Sequence, residues 1–301
     1  MAALTNRAVF VTRETDYERL IARHATSGQA RFFLESRGQR IEAVEAEHTR
    51  FHGVLAQARG AVPAGWRQAL VGREALDRFL FGPDDVIVAV GQDGLVANVA
   101  KYLEGQPVIG IDPAPDRNDG VLVRNPVARL ARLLPASVAG DVALERRTMV
   151  QAILDGGERL FALNEVYVGH RSHQTARYRI DTAAQEGPET GEEQASSGLI
   201  VASGTGATGW ARSIAEATHL GLPLGPEEPA VGYWVREPFP GRATAARMRA
   251  GKLAAPLRVT SRMNEGGVVF ADGIEQDFLD FGWGRQVSLS PAPRRLHLVV
   301  G

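Results

Sequence analysis

No cysteine occurs in the 301 residues. Disulfides, thiolate metal centres and cysteine nucleophiles are therefore excluded together. No apolar run approaches the roughly 20 residues that cross a bilayer, so no membrane partner is expected. The first residues also lack the apolar stretch of a secretory signal, and cytoplasmic residence is the expectation. Neither sign of charge is in excess: 34 basic against 35 acidic side chains leave a net charge of −1. A nucleic-acid footprint needs a clustered basic surplus, so no nucleic-acid partner is expected either. Two catalytic signatures are missing, the G-x-x-x-x-G-K-[ST] phosphate loop and the G-x-S-x-G nucleophile elbow. What remains is 44% hydrophobic and 23% charged, the composition of an ordinary globular protein with room for two domains or one large one.

The most informative segment runs from Val86 to Gly94. Val86 to Val90 is a short run of β-formers without charge, which reads as a strand buried on both faces. Gly91-Gln92-Asp93-Gly94 follows, with glycines that let the backbone turn tightly and approach a ligand. Leu95, Val99 and Leu103 then recur at helical spacing. Strand, glycine turn and helix start together form a phosphate-binding geometry, with N–H groups and the helix dipole aimed at an anion. Asp93 suggests phosphoryl transfer, because a carboxylate beside a phosphate needs a cation or a proton to take. The competing reading is a simple strand-ending turn, where Asp and Gly are common.

Around this segment the chain reads as alternating strands and helices. A strand is expected over 8–12, a helix from Asp16 to about Gly38, and two more helices over 45–59 and 66–80, interrupted by Pro63 and Gly65. Another strand follows at 107–111. This alternation argues for a parallel sheet covered by helices. After about Pro135 the character changes. A hairpin over 148–154 and 159–163 turns on Gly156 and Gly157, and short strands follow at 165–168, 176–180, 199–202, 257–260, 267–271 and 287–289, with one helix near 209–218. The acidic stretch from Gln185 to Gln194 reads as a mobile hairpin tip. The expected fold class is α/β plus all-β: a doubly wound, mostly parallel sheet domain over 1–135 and an antiparallel β-rich domain over 136–301.

Other segments carry two readings each. Gly204-Thr205-Gly206-Ala207-Thr208-Gly209 fits G-x-G-x-x-G after an apolar run and before a helix. No clear second parallel strand follows, since 220–229 is broken by Gly and Pro, so a Rossmann unit is disfavoured while close contact with a polar ligand is not. Asn164-Glu165 opens a strand; an amide and an acid there can read ribose or purine groups, or merely face solvent. His48 and His52 lie one helical turn apart, but Thr49 stands where H-E-x-x-H needs glutamate, so a solvated face is expected. His170 and His173 read as solvated loop residues.

Taken in order, these pieces resemble the NAD kinase family, particularly its mitochondrial-type branch. The resemblance is carried by Gly91–Gly94, Pro107–Gly120, Leu163–Val166, Ser196–Trp210, Arg236–Pro238 and Val268–Gly273. It implies an α/β domain and an antiparallel β domain with the site in the cleft between them. It also implies transfer of a phosphoryl group from ATP, or polyphosphate, with Mg²⁺ to the adenosine 2′-hydroxyl of NAD. The family's catalytic aspartate falls on Asp93, beside Gly91, Gln92, Gly94 and Gly120. Its adenine- and ribose-side pair falls on Asn164 and Glu165, with Ser197 on the dinucleotide strand. Its dinucleotide loop falls on Thr205, Gly206, Thr208 and Gly209, followed by Trp210 and Ser213. No protein ligand for a metal is assigned, and a homodimer is expected.

The chain departs from the family's usual G-G-D-G-T at Gln92, whose Cβ could crowd the donor or force a different φ, and at Leu95, which removes a hydroxyl. Asp112 stands where asparagine is common. Two alternatives therefore stay open: a related kinase acting on a lipid or sugar hydroxyl, and an NAD(P)-binding protein with weak catalysis.

Overall fold

The computed structural model describes residues 6–117, 120–182, 191–253 and 255–301. It divides into two units. One comprises Met1–Glu145 with the returning His297–Gly301, and the other Arg146–Leu296. The division falls later than the change of character at Pro135, which lies inside a helix of the first unit.

The first unit runs β1 (Arg7–Thr12), α1 (Asp16–His24), α2 (Ser27–Glu35), α3 (Ile41–Gly60), β2 (Arg67–Gly72), β3 (Asp85–Val90), α4 (Asp93–Ala100), β4 (Pro107–Ile111) and α5 (Leu130–Ala139). The strands form a parallel sheet in the order β2-β1-β3-β4. Every residue of β3 is buried, as its charge-free apolar run requires of a central parallel strand. Its one polar member, Asp85, is neutralised by Arg7, with Nε–Oδ1 at 2.8 Å and Nη2–Oδ2 at 2.6 Å. Phe10, Val88, Ile109 and Ile111 meet Leu55 and Ala58 of α3 and Leu130, Leu133 and Leu134 of α5 in one core. α4 buries every residue from Leu95 to Ala100.

Two expectations fail here. The helix expected over 16–38 is two helices, because Ala25 turns left-handed at φ 62° and Thr26 caps the second through Gln29 N–H. The helix expected over 66–80 is strand β2 and a 3-10 turn at Arg73–Arg78. There a parallel ladder to β1, from Arg7↔Arg67 to Thr12↔Gly72, overrides local preference.

The second unit carries the chain through β5 (Ala143–Leu154), β6 (Arg159–Ala162), β7 (Glu165–His170), β8 (Ala176–Thr182), β9 (Glu192–Ser196), β10 (Leu199–Ala202), α6 (Trp210–Thr218), β11 (Val231–Val235), β12 (Ala250–Leu253), β13 (Leu257–Ser261), β14 (Gly267–Ala271), β15 (Leu279–Asp280) and β16 (Gln286–Val300). The first residues of β5 and the last of β16 belong to the first unit, where His297 and Leu298 of β16 run parallel to Pro107 and Val108. β12-β11-β10-β7-β14-β15 form an antiparallel sheet. Leu199 and Val201 enter the core shared with β8 and β13, while Ile200 and Ala202 pack on the α6 side. The period of 2 thus survives with both faces buried. β11 runs antiparallel to β10, so the glycine-rich 204–209 turn does not belong to a Rossmann βαβ unit. Of the expected hairpin tip at 185–194, residues 185–190 lie outside the described residues and 192–194 belong to β9.

Candidate active site

In the first unit, β3 ends at Val90 and Gly91 N–H donates to Ile111 O at 3.0 Å, holding the turn against β4. Gln92 then serves as the N-cap of α4 with φ −97° and ψ 168°, and no side chain caps the helix. That conformation is open to any residue, so Gln92 forces no unusual backbone. Neither Gly91 nor Gly94 has a positive φ, which corrects the expectation that these glycines act through conformational freedom. At Gly94 a Cβ would meet nothing within 4 Å, whereas at Gly91 it would stand 2.9 Å from Leu95 Cδ2. Leu95, where the family usually has threonine, is buried beneath the turn.

The Asp93 carboxylate accepts three consecutive backbone N–H groups: Val121 on Oδ2 at 2.9 Å, and Leu122 and Val123 on Oδ1 at 2.8 and 3.1 Å. Gly120, at φ 56°, supplies the left-handed residue that starts this loop. Two oxygens offer about four acceptor positions. Three are filled, and the remaining one lies on Oδ2.

The second unit repeats the device. Asp272 accepts N–H from Leu163 on Oδ2 at 2.9 Å, and from Asn164 and Glu165 on Oδ1 at 2.8 and 3.2 Å. The Asn164 carbonyl accepts Ser203 N–H at 2.9 Å, and the Ser203 hydroxyl accepts N–H from Thr205 and Gly206. Gly206 packs so closely on the Asn164 carbonyl that a Cβ would collide with it. The backbone of 163–165 is therefore fixed from both sides, while the Asn164 amide and the Glu165 carboxyl make no hydrogen bond to any described residue. Burial first, and the neighbouring Asp272 carboxylate second, push the Glu165 carboxyl up to about 7. The buried Arg147 donates to the Thr205 hydroxyl at 3.2 Å.

Thr208 and Gly209 are exposed, and the Thr208 hydroxyl donates to Thr205 O at 2.8 Å. Ser213 is exposed on α6. Trp210 stacks on Tyr167 with ring centroids 6.0 Å apart, and the Arg236 guanidinium lies 5.0 Å from the Trp210 ring centre. Ser197 joins this corner through its backbone, donating its N–H to Arg236 O at 2.9 Å. His173 is exposed as expected, but His170 is buried, with Nδ1 accepting Ser172 N–H at 3.1 Å. The burial follows from its place at the end of β7 against Gly267 of β14.

Ser203 and Asp272 lie inside the motif stretches Ser196–Trp210 and Val268–Gly273 without being singled out as site residues, and Arg147 and the 121–123 amides lie outside every motif. Asp272-Gly273 had a signal as a turn dipeptide; Arg147 had none.

No family model matches the chain. A curated relative, the NAD kinase of Chlorobaculum tepidum, is 27% identical over 129 residues, which is 43% of this chain and 44% of that protein. The matched stretch thus spans less than half the relative's length. Among solved structures, an NAD kinase from Archaeoglobus fulgidus in complex with ATP aligns at TM-score 0.58 and 19% identity over 98% of this chain and 93% of that one. Yeast NADH kinase complexed with NADH aligns at TM-score 0.59 and 14% identity over 99% and 84%. The two-domain α/β plus all-β fold is that of these kinases, and the curated relative over its 129 matched residues agrees with the NAD kinase resemblance, without bearing on the mitochondrial-type branch. No helix among the described residues is long and apolar enough to cross a membrane.

Proposed function

We propose that this chain transfers a phosphoryl group from ATP to the adenosine 2′-hydroxyl of NAD, forming NADP. The observation that carries the reading is the fixed Asp93 carboxylate, one acceptor position left on Oδ2, at the start of an uncapped helix. A secondary hydroxyl is a poor nucleophile. Oδ2 accepts its proton as the oxygen–phosphorus bond forms and the bond to the departing diphosphate breaks, a base role typically worth about 10²–10⁴ in rate. The N–H groups at the start of α4 face the donor phosphates, with Gly94 leaving room for them. Gly91, Gln92 and Gly120 shape this turn.

Asn164 and Glu165 read the adenosine, because among the described residues their side chains have no hydrogen-bond partner, on a backbone that Asp272 and Ser203 immobilise. Thr205, Gly206, Thr208, Gly209, Ser197, Trp210 and Ser213 supply the surrounding polar and aromatic contacts. Mg²⁺, carried by the donor, supplies charge neutralisation when bound. The single free position on Asp93 fits a proton acceptor better than a chelating ligand. A cytoplasmic homodimer completes the reading, checked by fractionation and light scattering.

The deciding experiment follows NADP formation from NAD with ATP and, separately, with polyphosphate. Turnover with either donor supports the reading and names the donor. NAD binding without NADP formation replaces it with that of a binding protein. Turnover only with a lipid or sugar acceptor moves it to a related kinase.

A further inference from the structure

On α3, His52 is exposed as expected and His48, one turn away, is half-buried. Glu18 of α1 reaches them, and one ligand-capable atom from each of the three residues lies within 4.8 Å of the other two. His52 Nε2 stands 3.1 Å from Glu18 Oε1, and the two imidazole centroids are 4.3 Å apart. Nitrogen and oxygen ligands at 2.0–2.2 Å around a tetrahedral zinc lie roughly 3.3–3.6 Å from one another, so small side-chain adjustments close the set.

The supports are in place as well. Thr15 bonds to both sides of the cluster, its hydroxyl 2.8 Å from His48 Nδ1 and 3.0 Å from Glu18 Oε2, and its N–H donates to Glu18 Oε2 at 2.7 Å. Such outer contacts orient metal-binding side chains. Tyr17 packs on the His48 ring at 5.1 Å.

We propose that Glu18, His48 and His52 form a divalent transition-metal site that staples α1 to α3. Two imidazoles and a carboxylate with a remaining open position are the donor set of zinc and its neighbours rather than of magnesium or calcium. The site uses no residue of the kinase reading and stands or falls separately from it.

The test titrates Zn²⁺ into the metal-stripped full chain by calorimetry, beside His48→Gln and His52→Gln. One zinc equivalent present in the parent and weakened about tenfold or more in each variant supports the site, together with a zinc-dependent rise in Tm confined to the parent. Equal binding in parent and variants, or no uptake by the parent, overturns it. Circular dichroism establishes that the variants fold. If one does not, Co²⁺ added to the parent decides: an intense visible absorption of low-coordinate cobalt supports the site, and its absence overturns it.

Discussion

The Glu165 N–H donates to Asp272 at 3.2 Å while the Glu165 carboxyl is repelled by that same aspartate. One residue thus holds the Glu165 backbone and raises the energy of its ionised side chain. With the folded-state value raised from 4.5 to about 7, the native state binds the proton more tightly than the unfolded chain. The stability this contributes is complete below about pH 4.5 and is lost as pH rises through 7. Glu165→Gln mimics the protonated form. Its Tm should match the parent near pH 4 and exceed it at pH 8, where the stability difference is at most ~3 kcal/mol and less because the group is partly exposed. Parallel pH profiles of Tm in the two proteins contradict the burial and repulsion described.

Asp93 holds the 121–123 backbone and is the proposed base, and Asp93→Asn separates the two. Asn Oδ1 can keep the Leu122 and Val123 N–H bonds, but its amide nitrogen meets the Val121 N–H as donor against donor. The expected cost is about 1–2 kcal/mol of stability. Turnover should fall about 10²–10⁴-fold with NAD affinity retained. A variant that turns over within a few-fold of the parent removes Asp93 from the base role.

How much was legible follows from where the partners lie. The strand, turn and helix around Asp93 occupy one contiguous stretch, and each leaves a local mark: an unbroken β-forming run, a glycine pair, a helical repeat. Asp272 meets Glu165 from 107 residues away, through the β14–β7 register that sets Ala271 opposite Val166, and nothing local announces that pairing. β2 looked helical because its partner β1 is remote in sequence. Glu18 could not be placed beside the two histidines of α3 from local pattern, because it belongs to a different helix. Pattern reading finds residues that act beside their neighbours and misses those recruited by topology.

Gly206 tests the contact between the 204–209 loop and Asn164. An alanine Cβ there collides with the Asn164 carbonyl, which Ser203 N–H already occupies. Gly206→Ala should cost about 1–3 kcal/mol and weaken NAD binding, read by thermal shift and calorimetry. Unchanged affinity for NAD would detach this loop from dinucleotide binding.

Gly94 gives the opposite sign for stability. Its Cβ position is empty within 4 Å and its φ is not positive, so alanine fits the folded chain without strain. It also favours the first turn of α4, by up to about 1 kcal/mol. The methyl group would project into the space assigned to the donor phosphates. Gly94→Ala should therefore raise Tm slightly, leave NAD affinity unchanged, and raise KM for ATP. If KM for ATP stays at the parent value while Tm rises, the donor does not bind at the start of α4 and the phosphate site lies elsewhere.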